Sequence, residues 1–95
     1  MPDERLPAGK PDLFVVARIL EKLWTPDKEW RKTELQMAAG LNYDIYRKYL
    51  DLLEAKGLIV IEERGPRHQV VRLTAKGLDA YTTLAGWIKD VLGEV

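Results

Sequence analysis

Arg47 and Lys48 on one predicted helix face, and Arg64, Arg67 and His68 in the run RGPRH, are the groups in this chain best suited to binding chemistry. Guanidinium and ammonium groups attract phosphates and other anions, and their grouping supplies a local patch that the chain as a whole lacks. Fifteen Lys and Arg balance fifteen Asp and Glu in 95 residues, so the position of charge matters more than its sum. From Leu41 to Gly77 the cations Arg47, Lys48, Lys56, Arg64, Arg67, Arg72 and Lys76 outnumber the anions Asp44, Asp51, Glu54, Glu62 and Glu63, seven to five. The segment that follows leans acidic. The helix face around Arg47 also carries Asp44, Asp51 and Glu54, a mixture of signs that a surface lying only against phosphates does not need.

Other chemistries are poorly supplied. With no cysteine, disulfides, thiol nucleophiles and cysteine-bound zinc are excluded, and a reducing cytoplasm is the natural compartment. His68 is the only histidine, which leaves no convincing metal site and makes a solvated turn residue its simpler role. Asp51 with Glu54, and Glu62 with Glu63, are spaced for exposed faces, and no glycine-rich phosphate loop follows a strand. Neither an enzyme nor a cofactor is expected. The N-terminal stretch MPDERLPAGKPD, punctuated by Pro2, Pro7 and Pro11, reads as a flexible tail over 1–11, and no apolar run is long enough to span a bilayer.

The elements that position these groups carry local signals, and 46% hydrophobic with 32% charged content makes one domain with a modest core. In LNYDIYRKYLDLLEAKGLI, Asn42 caps a helix that ends at Lys56, because Gly57 tolerates the left-handed conformation beyond a helix terminus. Ile45, Tyr46, Tyr49, Leu50, Leu52 and Leu53 form its buried stripe, leaving Tyr43 exposed in the first turn. A first helix from Asp12 to about Trp24 carries the broad stripe Phe14, Val15, Ala17, Ile19, Leu20, Leu23 and Trp24, and Thr25, Pro26 and Asp27 break it. A short second helix from Lys32 or Thr33 to Ala39 turns Leu35, Met37 and Ala38 inward. The tight turn Ala39-Gly40-Leu41 then joins it to the capped helix as a helix-turn-helix.

After Gly57 the period changes. LIVIEE and QVVRL are β-rich runs joined by RGPRH, which reads as a β-hairpin with Arg64, Gly65, Pro66, Arg67 and His68 at its tip. Thr74 caps a final helix whose apolar positions Leu78, Tyr81, Ala85, Ile88 and Leu92 fall three and four residues apart, with Trp87 and Val91 widening the surface. The expected class is α+β and mostly helical: three helices, a β-hairpin wing and a C-terminal helix.

That order of elements, with AGLNYDIYRKYLDLLEAKGLI, a short hairpin and Leu73-Thr74-Ala75-Lys76-Gly77, resembles the small archaeal winged helix-turn-helix DNA-binding proteins of Sulfolobus type, over roughly Leu13 to Trp87. The resemblance implies a winged-helix domain over 12–77 and a dimerisation helix over 78–95. It implies sequence-specific or semi-specific binding of double-stranded DNA by a cytoplasmic homodimer, as a transcription regulator or chromatin-associated protein, and names no small-molecule effector. It places Asn42, Tyr43, Asp44, Arg47 and Lys48 on the reading helix and Arg64, Arg67 and His68 on the wing. Leu78, Tyr81, Ala85, Trp87, Ile88 and Leu92 would lie between subunits. The chain departs from the family in a last helix that is short for a long coiled coil.

Each of these groups also has a plainer reading. Arg47 can pair with Asp51, Lys48 with Asp44 or Asp51, and Glu62 or Glu63 with Arg64 or Arg72 across the hairpin. Winged helices also dock proteins without touching DNA, so a protein-interaction module is the alternative that a neutral chain leaves open.

Overall fold

The computed structural model describes residues 11–25 and 27–92, the side chain of Leu92 excepted. The tail expected over 1–11 lies outside the described residues apart from Pro11, as does Pro26 of the expected break. The element order is α1 (Leu13–Leu23), β1 (Trp30–Arg31), α2 (Lys32–Ala39), α3 (Tyr43–Ala55), β2 (Ile59–Gly65), β3 (His68–Leu73) and α4 (Ala75–Leu92). The three strands form one antiparallel sheet in the order β1-β3-β2.

Caps set the helix boundaries. The Asp12 carboxylate accepts the Phe14 N–H at 2.9 Å to open α1, and the Asn42 side chain accepts the Ile45 N–H at 3.0 Å to open α3. α3 closes with Gly57 at φ +77°, donating to the Glu54 carbonyl, while the Leu58 N–H reaches the Leu53 carbonyl, each at 2.9 Å. This paired closure turns the chain directly into β2. Gly40, at φ +68°, closes α2 in the same left-handed way, so Gly40, Leu41 and Asn42 are the whole connection between α2 and α3.

The core joins Val16, Ile19, Leu20 and Leu23 of α1 to Leu35 and Ala39 of α2, to Tyr46, Tyr49, Leu50 and Leu53 of α3, and to Ile59 and Val71 of the sheet. Its two tyrosines satisfy their polar ends. The Tyr46 hydroxyl donates to the Lys32 carbonyl, tying α3 to the first turn of α2, and the Tyr49 hydroxyl accepts the Asp12 N–H at 2.8 Å. Burial pushes the Tyr46 phenol above its ordinary value. Arg18 crosses from α1 to the end of α2 and donates to the Ala39 carbonyl at 2.9 Å, where a cation suits the negative end of the helix.

Several expectations are corrected. Met37 points outward with 80% of its surface exposed, because Leu35 and Ala39, four residues apart, set the inward face of α2. On α1, Val16, which was left out of the stripe, is buried with Ile19, Leu20 and Leu23, and the breadth of the stripe leaves Phe14 and Trp24 more than half exposed. β1 was not expected: its two residues lack a strand pattern of their own and are recruited by β3, with Trp30 opposite Val71 and Arg31 opposite Val70. The hairpin tip is tighter than RGPRH suggests, since Arg64 and Gly65 belong to β2 and His68 to β3, leaving Pro66 and Arg67 as the connection.

α4 is seated by its first turn. The Thr74 hydroxyl donates to the Gly57 carbonyl at 2.7 Å and accepts the Gly77 N–H at 2.9 Å, and the Lys76 ammonium donates to the Lys56 carbonyl at 2.8 Å. The start of α4 is thereby fastened to the end of α3, and Tyr81 and Leu84 pack on the shared core.

Candidate nucleic-acid interface

The inward phase of Tyr46, Tyr49, Leu50 and Leu53 leaves the opposite side of α3 to solvent. Asn42, Tyr43, Asp44, Arg47 and Lys48 are all exposed on it. Asn42 uses its side-chain oxygen as the helix cap, so its amide hydrogens are what it can offer a ligand. Arg47 and Asp51 stand 4.0 Å apart, an exposed pair one helical turn apart, which stabilises by a few tenths of a kcal/mol at about its usual size. Lys48 makes no ion pair with another described residue.

The wing tip and the start of α2 enclose a notch of about 120 Å³ lined by Arg31, Lys32, Thr33, Arg67 and Gln69. Three cationic side chains converge there with the N-terminus of α2, whose first-turn N–H groups and positive dipole end favour an anion. One of those amides, that of Arg31, is already taken by Glu34 at 3.1 Å. This hydrogen bond is the main reason the Glu34 carboxyl titrates below its ordinary range. Arg31, Lys32 and Thr33 were missed by the sequence reading, because only the pairing of β1 with β3 carries them to the wing. The Lys and Arg pair flanking a helix start was the one signal available.

Arg67 sits at the tip with φ +58°, a left-handed conformation that is strained for a residue other than glycine or asparagine. His68 opens β3 opposite Gly65 and is half buried, so it belongs to the strand more than to the tip. Arg64 does not project free of the wing. Its guanidinium lies 2.6 Å from the Glu29 carboxylate and 3.0 Å from that of Glu62, and Glu62 also faces Arg72 at 4.0 Å. Part of the wing's positive charge is therefore neutralised within the chain.

The second surface is apolar. Along α4, Leu78, Trp87 and Val91 are exposed, and Ala85 and Ile88 are half buried. Leu13 and Phe14 of α1 are exposed as well. Tyr81 spends one ring face within its own chain, stacked on Trp24 with centroids 6.0 Å apart and an interplanar angle of 30°. Leu92 closes α4, but its side chain lies outside the described residues. Among the described residues no group of His, Asp and Glu side chains is placed to hold a metal ion, and no helix is long and apolar enough to cross a membrane.

A helix-turn-helix closed by a two-stranded wing, with a third short strand and a helix on either side, defines a winged helix-turn-helix fold. The chain belongs to the winged helix-turn-helix family, whose model matches residues 12–90. Among solved structures it is similar to Sso10a-2, a DNA-binding protein from Sulfolobus solfataricus. The TM-score is 0.70 at 25% identity, over 84% of this chain and 80% of that one. It is also similar in fold to MepR, a transcription regulator of the Staphylococcus aureus multidrug efflux pump MepA, with a TM-score of 0.66 at 20% identity over 82% of this chain. The chain spans 61% of the length of MepR. No protein of curated function matches the sequence significantly.

Proposed function

We propose that this chain binds double-stranded DNA in the cytoplasm as a homodimer and regulates transcription, with α3 in the major groove and the wing on the flanking backbone. The observation that carries this reading is the notch that brings Arg67 of the wing together with Arg31 and Lys32 at the start of α2. A phosphate seated there touches the wing and the helix-turn-helix at once, fixing register while α3 reaches base edges. Arg47 and Lys48 supply donors for guanine or phosphate, and Tyr43 reaches a phosphate or a thymine methyl. The similarity to Sso10a-2, itself described as DNA-binding, supports the same reading. The role is that of a binding domain and needs no catalytic group.

Dimerisation would bury the exposed apolar surface of α4, with Trp87 as its largest side chain, and would set two reading helices about one DNA turn apart. A protein-docking role is the second reading. It is favoured by Asp44 and Asp51 on the exposed face of α3 and by the neutralised Arg64.

Fluorescence anisotropy of a random-sequence duplex, titrated at low and near-physiological salt, tests the proposal. Binding at about micromolar concentrations that falls steeply with salt is expected. Absence of binding at low salt would shift the assignment to protein docking.

A further inference from the structure

We propose that Glu29 is an intramolecular competitor for the DNA backbone, holding the wing arginine Arg64 in an autoinhibitory latch; the inference rests on the DNA-binding reading above. Glu29 lies just before β1 and Arg64 near the end of β2, at opposite edges of the sheet, so the contact spans β3. At 2.6 Å it is the shortest of the ion pairs among the described residues, and Glu62 completes a two-carboxylate cradle at 3.0 Å. Val60 opposite Arg72 and Glu62 opposite Val70 put Glu62 and Arg72 on one face of the hairpin. At Arg64 the wing thus presents a carboxylate-rich cluster instead of a free cation.

A phosphate that is to reach Arg64 must displace carboxylates already bound to it. The displacement is feasible because neither partner is buried: side-chain exposure is 36% for Arg64 and 46% for Glu29. Glu29 also lines an open cleft of about 410 Å³ with Asp27, Lys28 and Arg72, which gives its carboxylate room to swing away without disturbing the core. Arg67 and the notch at the start of α2 make no such pair with a described carboxylate, apart from the Glu34 bond to the Arg31 amide. DNA would therefore engage the notch first and Arg64 only at the expense of the latch, which weakens nonspecific binding by a chain of no net charge.

The test uses the full chain and its variants Glu29→Gln, Arg64→Gln and the double variant, each titrated against the same duplex over a range of salt. Glu29→Gln is expected to tighten binding by about three- to fivefold, the scale of an exposed ion pair, and to steepen the log–log salt slope by about one. In the Arg64→Gln background the same change should do little, since the interaction being removed is already absent. An equal gain in both backgrounds would mean a general charge effect and would overturn the latch. Unchanged or weaker binding by Glu29→Gln would also overturn it, weaker binding marking Glu29 as a residue that positions Arg64. Failure of the parent and every variant to bind at low salt would instead sink the DNA-binding reading and the latch with it.

Discussion

Gly77 lies against the backbone carbonyl of Leu58. A Cβ added at this glycine would fall well inside van der Waals contact with that oxygen and 2.8 Å from Leu73 Cδ1. The Leu58 carbonyl cannot yield, because it also accepts the Thr74 N–H at 3.1 Å and follows directly on the closure of α3. The first turn of α4, the end of α3 and the start of β2 therefore meet at one point where only glycine fits.

Gly77→Ala should destabilise the fold by about 2–3 kcal/mol through this overpacking. Gly86, in the same helix, has nothing within 4 Å of its added Cβ. Gly86→Ala should stabilise by about 0.5–1 kcal/mol through helix propensity. Urea unfolding of the two variants should thus move the midpoint in opposite directions, and a matching sign would refute the packing argument.

Tyr46→Phe leaves the Lys32 carbonyl without its donor and should cost about 1–2 kcal/mol. The raised pKa of Tyr46 adds a pH dependence. The folded state holds the phenol protonated to higher pH than the unfolded state does, so this stability is complete below the ordinary value of about 10 and is lost as pH climbs above it. The unfolding midpoint should fall more steeply between about pH 10 and 11 in the parent than in Tyr46→Phe; parallel profiles would remove Tyr46 as the cause.

Arg67→Gly separates stability from binding. Glycine adopts the left-handed tip conformation without strain, so the variant should be about 1 kcal/mol more stable in thermal unfolding. Its DNA affinity should drop and its log–log salt slope flatten by about one, the loss of one phosphate contact. A stable variant with unaltered salt slope would take Arg67 out of the interface.

Trp87→Asp combined with Val91→Asp should convert a dimer to a monomer in sedimentation velocity. Both side chains are more than half exposed in the single chain, so the folded monomer should keep its circular dichroism. A persisting dimer would move the interface to another surface, with Leu13 and Phe14 of α1 the next to change.

Much of the architecture was legible because it depends on neighbours in sequence. Asp12 and Asn42 cap the helices they precede, Gly40 and Gly57 end the helices they follow, and the change from helical to strand period after Gly57 marks the hairpin. Asn42, Tyr43, Asp44, Arg47 and Lys48 were readable as an exposed face for the same reason, since the stripe opposite them is continuous. Where a stripe is broader than the surface it covers, periodicity cannot choose the contact, and so Met37 was assigned inward while Val16 was left out of the α1 stripe.

What the sequence determined by itself is therefore the four helices and the hairpin, their caps and turns, and which side of α3 faces outward, all consequences of interactions within about one turn of chain. Only the tertiary structure decided the rest: that Trp30 and Arg31 become a strand, that Arg31 and Lys32 meet Arg67, and that Arg64 is held by Glu29. Those contacts join residues far apart along the chain and leave no periodic trace, because each exists only once β3 has been placed between β1 and β2.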